Sequence, residues 1–213
     1  MQKPMIIDSH AHLDYPQLAS DLPAVLARAK DAGVGQIISI GVKLSSSHAP
    51  REIAEAHKDV WFSVGVHPHE AANETHSCNP EAFLLAANHP KCVAIGEAGL
   101  DYFYDYAPRE KQAESFRVQI GVARELGLPI IVHARDADED IATIIEDEMA
   151  NGEFSGVLHC FSSSANLARH AIALGFYISF SGILTFKKAE EIRDVAGFAP
   201  ADKILVETDA PFL

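Results

Sequence analysis

Two histidines stand two residues apart near the start of the chain, directly after a short apolar run. Residues 8–12 read DSHAH, so His10 and His12 follow Ile6 and Ile7 within a few positions. In a β-strand, residues i and i+2 point to the same side, so one face would carry both imidazoles. A pair of buried structural histidines has this spacing, and so does one half of a metal site.

Polar residues of the same chemical kind follow five further apolar runs. These segments are residues 65–69 (GVHPH), 96–101 (GEAGLD), 133–135 (HAR), 159–161 (HCF) and 207–209 (ETD). The carboxyl ends of parallel strands converge on one mouth of a (β/α)8 barrel. One such segment is weak evidence for a site, whereas six at the same end of successive strands predict a shared one.

Imidazoles and carboxylates, with no cysteine among them, suit a divalent transition metal such as zinc or manganese. The predicted metal ligands are His10, His12, Glu97, His133, His159 and Asp209. These are enough for two ions, and Glu97 is the bridging candidate because a carboxylate can join two metals. Asp209 can also accept the proton of the attacking water, so we predict catalytic roles for both carboxylates. We expect Asp8 to orient one imidazole through a hydrogen bond.

Two further residues are expected to contact substrate. His67 shares a strand face with His69 and reaches the mouth, although a structural role has nearly equal support. Arg135 ends the segment at residues 133–135, where a guanidinium can hold a phosphate through two parallel hydrogen bonds. A salt bridge from Arg135 to Asp136, or to groups near Glu97, is the alternative.

Short β-branched apolar runs alternate with longer amphipathic stretches along the chain. The predicted strands are residues 5–7, 36–42, 60–66, 92–95, 128–132, 156–158, 176–180 and 204–206. The predicted helices are residues 22–32, 48–58, 80–88, 110–126, 137–149, 166–174 and 188–196. Strict alternation requires a parallel sheet whose strands are buried on both faces. Eight strands favour an α/β fold of the (β/α)8 TIM-barrel type, with an open doubly wound sheet as the alternative.

The 213 residues are predicted to form a single barrel domain, 1–213. Barrels of this type run to ~250 residues. No helical stretch follows the eighth predicted strand, so we expect the barrel to be truncated after strand 8, with its C-terminal helix missing.

Net charge and cysteine usage narrow the class of protein. A formal net charge of −13 disfavours a module that grips nucleic acid through a broad basic face. It leaves open an enzyme whose bound metal ions supply the local positive charge. Three widely spaced cysteines without a CxxC motif indicate a reducing compartment, and no apolar run approaches the ~18–20 residues that cross a bilayer. We therefore expect a cytoplasmic protein with no membrane contact and no obligate protein partner.

Seven segments together resemble the TatD family of metal-dependent hydrolases, in the amidohydrolase-like superfamily. They are DSHAHLD (8–14), GVHPH (65–69), IGEAGLDY (95–102), PIIVHAR (129–135), HCFS (159–162), SGILTF (181–186) and ETDAPFL (207–213). The resemblance implies a (β/α)8 barrel that binds two divalent metal ions and acts as a deoxyribonuclease, often a 3′–5′ exonuclease. It implies DNA as the substrate, single-stranded or at a 3′ end, and the same six residues as metal ligands.

Metal identity and substrate class leave alternatives. The family is often magnesium-dependent, whereas four histidine ligands favour softer ions, so magnesium, zinc, manganese and similar ions all stay open. The same ions could act on a carbonyl carbon, in an amide or ester hydrolase whose substrate is a small molecule or an aminoacyl-tRNA. A binding module with a vestigial site is the third possibility, but it would show degenerate ligands, and all six are present here.

Overall fold

Eight parallel strands form one sheet, in the order β1 to β8, in a computed structural model that describes residues 5–213. The strands are β1 (Ile6–Ala11), β2 (Val34–Ser39), β3 (Val60–Val64), β4 (Cys92–Asp101), β5 (Ile130–Arg135), β6 (Gly156–Leu158), β7 (Tyr177–Phe180) and β8 (Ile204–Val206). Every neighbouring pair is parallel, because a helix connects each strand to the next.

The helices are α1 (Pro16–Ala19), α2 (Leu22–Asp31), α3 (His48–Ala56), α4 (Pro80–Ala87), α5 (Arg109–Leu126), α6 (Asp138–Ala150), α7 (Ala165–Ala173) and α8 (Glu190–Phe198). All seven predicted helices are present, and α1 adds a single turn that begins at Pro16, a residue favoured at the first helical position. Within residues 5–213, no helix is both long and apolar enough to cross a membrane.

The two ends of the sheet meet and nearly close a barrel. Ala11 in β1 forms a parallel bridge with Ala210, which lies just after β8. The backbone N–H of His12 donates to the carbonyl of Ala210 at 2.8 Å, and that of Asp209 donates to the carbonyl of His10 at 2.9 Å. The predicted (β/α)8 barrel is therefore confirmed, and the open sheet is excluded.

The core lies between the barrel strands and the helices around them, with Phe62 of β3 and Phe116 of α5 fully buried. β1 and β8 depart from the expected two-sided burial, because Ile6 and Ile7 are each 45% exposed and Val206 is 49% exposed. The helix that follows β7, α8, packs against α7. The prediction that every strand is buried on both faces is thus wrong at the seam between β1 and β8.

Strand β4 is longer than predicted and carries part of the polar cluster. The sequence predicted its end at Ile95, but it continues to Asp101. Gly99 has a φ of +137°, and a Cβ built there would lie 2.0 Å from the carbonyl oxygen of His133. Only glycine accommodates both that backbone conformation and that approach. The close contact of β4 with β5 sets Glu97 beside His133.

Candidate metal centre

The first part of the polar cluster lies at the seam of the barrel. His10 and His12 lie fully buried at the carboxyl end of β1, and their Nε2 atoms are 3.3 Å apart. Asp209 Oδ1 lies 3.5 Å from His10 Nε2 and 3.4 Å from His12 Nε2. The backbone pairing that closes the barrel therefore also brings two imidazoles and a carboxylate to one point.

The second part of the cluster comes from β4, β5 and the residue after β6. Glu97 Oε1 lies 2.9 Å from His133 Nδ1 and 2.7 Å from His159 Nε2. The two imidazole nitrogens are 3.4 Å apart. Three donor atoms from three adjacent strand ends thus face one another.

Glu97 joins the two parts. Its other oxygen, Oε2, lies 3.3 Å from His10 Nε2 and 3.8 Å from His12 Nε2. The structure therefore brings all six predicted ligands into one continuous cluster. The donor atoms form three overlapping groups, each within 4.8 Å, which are His10–Glu97–His159, His10–His12–Asp209 and His67–Glu97–His133.

The arrangement of ring nitrogens fits a bound cation. His10 and His12 turn their Nε2 atoms toward each other, and both Nδ1 atoms are buried without a hydrogen-bond partner among the described residues. Two facing imidazole nitrogens beside carboxylates are poorly satisfied by each other, since buried polar atoms normally have a partner. A divalent cation accepts this donor set, because imidazole and carboxylate are the usual ligands of zinc and related ions.

The two predicted substrate contacts lie at different distances from the cluster. His67 Nε2 is 3.4 Å from Glu97 Oε1, close enough for His67 to share a ligand group with Glu97. Arg135 lies further out, with its guanidinium carbon 4.2 Å from the ring centroid of Phe103 and 4.8 Å from that of Tyr104. Arg135 forms no ion pair within residues 5–213, so the alternative of a salt bridge to Asp136 is wrong. Both residues line a cavity of about 800 Å³ over the cluster.

Residues 7–213 match the family model described as TatD related DNase. The chain belongs to this family. It is 42% identical over 209 residues to the uncharacterized metal-dependent hydrolase YabD of Bacillus subtilis, covering 98% of this chain and 81% of YabD. It is 34% identical over 212 residues to the 3′-5′ ssDNA/RNA exonuclease TatD of Escherichia coli K12, covering 98% of this chain and 80% of that protein.

A solved structure agrees with this assignment. The crystal structure of YJJV, a TatD homolog from Escherichia coli K12, aligns with a TM-score of 0.89 at 32% identity. The alignment covers 97% of this chain and 79% of YJJV. The family predicted from the seven sequence segments is confirmed, and with it the assignment as a metal-dependent hydrolase.

Both central carboxylates of the TatD-family site remain ionised. Burial alone would raise the pKa of Glu97, but the positive charge of His159 and hydrogen bonds from His10 and His133 hold that pKa well below its usual value. Burial also opposes ionisation of Asp209, yet a hydrogen bond from His12 and the charge of His159 lower its pKa. A centre with two carboxylates that keep their negative charge is suited to attract a cation.

The histidines divide into two electrostatic kinds. Burial lowers the pKa of His67 to about 4, and burial together with the charge of His159 lowers the pKa of His10. Burial opposes the charged form of His159 too, but Glu97 and Glu207 raise its pKa well above the usual value. His10 and His67 are therefore neutral imidazoles at pH 7, the form that can bind a metal ion.

Asp101 is a buried residue of the site that the sequence analysis did not assign. Its Oδ2 lies 2.8 Å from His69 Nε2 and 3.0 Å from His133 Nε2. This contact fixes the ring of His133 so that Nδ1 faces Glu97, the arrangement in which a carboxylate orients a metal-binding histidine. The available signal was its even spacing from Glu97 along β4, which puts both carboxylates on one side of the strand.

Glu207 is the second buried carboxylate that was not assigned. Its Oε1 accepts the backbone N–H of Cys160 at 2.5 Å and lies 3.4 Å from His159 Nδ1, while Oε2 accepts the Ser179 hydroxyl at 2.5 Å. Glu207 thus holds the loop after β6 and contacts the ring nitrogen of His159 that faces away from Glu97. Its spacing of two residues from Asp209 was the signal in the sequence.

Asp8 has a different role from the expected one. Its Oδ1 accepts the backbone N–H groups of His10, at 3.3 Å, and of Thr208, at 3.0 Å. Its Oδ2 accepts the hydroxyl of Thr208 at 2.7 Å. The expected hydrogen bond from Asp8 to an imidazole ring is wrong, because its buried carboxylate lies between the backbones of β1 and the segment after β8. Asp8 therefore stabilises the seam that carries His10.

Proposed function

We propose that this TatD-family chain is a two-metal phosphodiesterase that removes nucleotides from the 3′ end of single-stranded DNA. The observation that carries the proposal is the placement of Glu97 between two groups of imidazoles, with one oxygen toward each. The reaction class follows from family membership, and the relative TatD of Escherichia coli, named as an exonuclease on single-stranded DNA and RNA, supports the substrate.

The proposed ligands divide between two ions. His10, His12 and Asp209 would hold one ion, and His133 and His159, whose facing nitrogens are 3.4 Å apart, would hold the other. Glu97 would bind both through its two oxygens. Two divalent ions in such a centre supply Lewis acidity toward the phosphate and lower the pKa of water toward ~7. We leave the identity of the ions open among magnesium, zinc and manganese.

Asp209 is the residue best placed to accept a proton from the attacking water. Its side chain is 14% exposed, whereas that of Glu97 is 3% exposed, so Asp209 borders the cavity that water enters. Its pKa is lowered, although burial opposes this, by the hydrogen bond from His12 and the charge of His159. The carboxylate is therefore ionised and ready to act as a general base near neutral pH.

His67 and Arg135 would contact the phosphate of the substrate. Both line the cavity over the cluster, His67 from the β3 side and Arg135 from the end of β5. The guanidinium of Arg135 makes no hydrogen bond with another residue in the described range 5–213, so its donors can reach a phosphate oxygen. A bounded cavity, in a chain of net charge −13, favours a strand end over a long duplex.

Hydrolysis of an amide or ester is the second candidate function. The same cluster can polarise a carbonyl oxygen, and an acidic surface suits a small substrate better than a polyanion. YabD, which is 42% identical, is named only as a metal-dependent hydrolase.

For the cellular location, we infer a reducing cytoplasm from three free cysteines, Cys78, Cys92 and Cys160.

Degradation of a labelled single-stranded oligonucleotide tests the proposed function. We expect the purified protein with added Mg²⁺ or Mn²⁺ to shorten a 5′-labelled strand in single-nucleotide steps from its 3′ end. The variants Glu97→Ala and Asp209→Ala, shown to be folded by circular dichroism, should lose this activity. Turnover at the wild-type rate in both variants would contradict the proposal. Robust turnover of an amide or ester panel without nuclease activity would favour the second candidate.

A further inference from the structure

Three aromatic side chains stand exposed in the loop between β4 and α5, at the mouth of the barrel. Phe103 is 56% exposed, Tyr104 is 43% exposed and Tyr106 is 66% exposed. We call these three residues the aromatic platform. Rings of this size are normally well buried, and a contiguous exposed group of them marks a binding surface.

Hydrogen bonds to Asp101 hold the backbone of the aromatic platform in place. Asp101 Oδ1 accepts the backbone N–H groups of Phe103 and Tyr104, at 3.1 and 2.9 Å. The other oxygen of Asp101 contacts His133 Nε2, so one carboxylate fixes both the loop and a ligand of the metal cluster. The rings of Tyr104 and Tyr106 are nearly parallel, at 27° with centroids 5.2 Å apart. The exposed faces are therefore ordered surfaces tied to the catalytic centre.

Arg135 adds a planar cation to the platform. Its guanidinium carbon lies over the rings of both Phe103 and Tyr104, at 4.2 and 4.8 Å from their centroids. The guanidinium has neither an ion-pair partner nor a hydrogen-bond partner in the part of the chain that the structure describes. The two rings make cation–π contacts with the face of the guanidinium, and its N–H donors remain available to bind an anion.

This combination matches the chemistry of an unpaired nucleotide. Aromatic faces stack on nucleobases regardless of sequence, and a guanidinium can bind the adjoining phosphate. Electrostatic attraction to phosphates is weak in a chain of net charge −13, so stacking has to supply much of the affinity. A base inside a duplex is paired and stacked on both faces, whereas an unpaired base offers its face to such a platform.

We propose that the aromatic platform stacks on an unpaired base close to the scissile linkage and so selects single-stranded ends. Arg135 holds the phosphate beside that base. The proposal rests on the proposed nuclease function and adds the residues that determine substrate preference. His69 completes the connection to the metal cluster, since its ring centroid is 4.8 Å from that of Tyr106 and its Nε2 contacts Asp101.

Abasic oligonucleotides test the stacking directly in the wild-type protein. We expect replacement of one of the last 3′ bases by an abasic unit to raise KM about tenfold or more, with a smaller change in kcat. Tyr104→Ala should raise KM for the intact oligonucleotide by a similar factor and abolish the difference between intact and abasic strands. Tyr104→Phe should retain it, because the ring face is kept.

Tyr177→Ala is the matched control. Tyr177 begins β7, at the opposite end of the barrel from the mouth, and Lys203 Nζ lies 4.7 Å from its ring centroid. This variant loses a ring beneath a cation, as Tyr104→Ala does, without touching the platform. An equal rise in KM for both variants would overturn the proposal. The comparison of abasic and intact strands in wild-type protein needs no variant, so it decides even if Tyr104→Ala misfolds.

Equilibrium binding separates this proposal from the proposed nuclease function. The probe is a fluorescent single-stranded oligonucleotide with phosphorothioate linkages, measured by anisotropy with wild-type protein and Tyr104→Ala. Weaker binding to the variant, with no hydrolysis of natural strands, would support the platform and overturn the nuclease. Hydrolysis of natural strands with equal KM for intact and abasic ends would overturn the platform alone.

Discussion

Glu97 places its two carboxylate oxygens beside imidazoles from different strands, with Oε2 3.3 Å from His10 Nε2 and Oε1 2.7 Å from His159 Nε2. His10 belongs to β1 and His159 follows β6, so the residue from β4 connects strand ends that are distant around the sheet. A carboxylate in that place can bind two cations at once, which a neutral imidazole, with one free nitrogen, cannot do. This connection, and the residues that support it, determine how the site should respond to substitution.

Replacing Glu97 with glutamine should remove most of the metal and most of the activity. The amide keeps the shape of the side chain but lacks its charge and one of its two ligand oxygens. We expect the rate of hydrolysis to fall by more than about 100-fold. Substitution of a residue that only hydrogen-bonds a metal ligand produces a smaller loss. Metal per chain, measured by mass spectrometry, should fall in parallel. Glu114→Gln is the control, since Glu114 is exposed and pairs with Lys111 on α5. Full metal content in Glu97→Gln would contradict the bridging role.

Asp101→Asn should weaken metal binding without removing a ligand. Oδ2 of Asp101 contacts His69 Nε2 and His133 Nε2, and Oδ1 accepts the backbone N–H groups of the loop. An asparagine must turn its NH2 group toward one of these two sets of donors, and it lacks the charge that holds the imidazoles. We expect a loss of about 10–100-fold in metal affinity, measured by competition with a chelating dye. Asp105→Asn is the matched control in the same loop, since Asp105 is exposed and pairs with Arg109. Equal affinities in the two variants would rule out the orienting role of Asp101.

Thr208→Val should loosen the seam between β1 and β8. The hydroxyl of Thr208 donates to the buried carboxylate of Asp8, and valine leaves that oxygen short of a donor. We expect the free energy of unfolding to fall by about 1–2 kcal/mol in urea denaturation. Thr185→Val removes an exposed hydroxyl that donates to the carbonyl of Gly182, and it should change stability much less. An unchanged free energy of unfolding in Thr208→Val would show that the seam does not depend on this contact.

Two glycines should respond to alanine in opposite directions. At Gly99 a methyl group would meet the carbonyl of His133 in a backbone with φ of +137°, so we expect a loss of about 3 kcal/mol or more. Gly121 lies within α5 with no atom within 4 Å of the added carbon, so alanine should stabilise the helix by about 0.5–1 kcal/mol. Thermal unfolding of both variants measures the contrast. Similar melting temperatures would contradict the close approach of β4 to β5.

The order of elements could be predicted from sequence, because apolar runs and amphipathic stretches alternate along the whole chain. The end of β4 could not, since Gly96 and Gly99 are residues that usually mark a turn. In the folded protein they take positive φ inside the strand, where β5 lies too close for a side chain. That requirement arises from the neighbouring strand and leaves no local pattern in the sequence.

That the six predicted ligands lie together could be predicted, because each follows an apolar run at the same end of the sheet. The supporting carboxylates Asp101 and Glu207 were missed, because the role of a lone carboxylate depends on which imidazole faces it across the strands. The aromatic platform was missed for a related reason. Phe103 and Tyr104 lie in an irregular loop whose shape is set by hydrogen bonds to Asp101.

Anomalous diffraction from crystals soaked in Mn²⁺ tests the two-ion centre most directly. The arrangement around Glu97 predicts two peaks, one on each side of its carboxylate. One peak should lie among His10, His12 and Asp209, and the other beside His133 and His159. A single peak, or peaks that do not contact Glu97, would contradict the account.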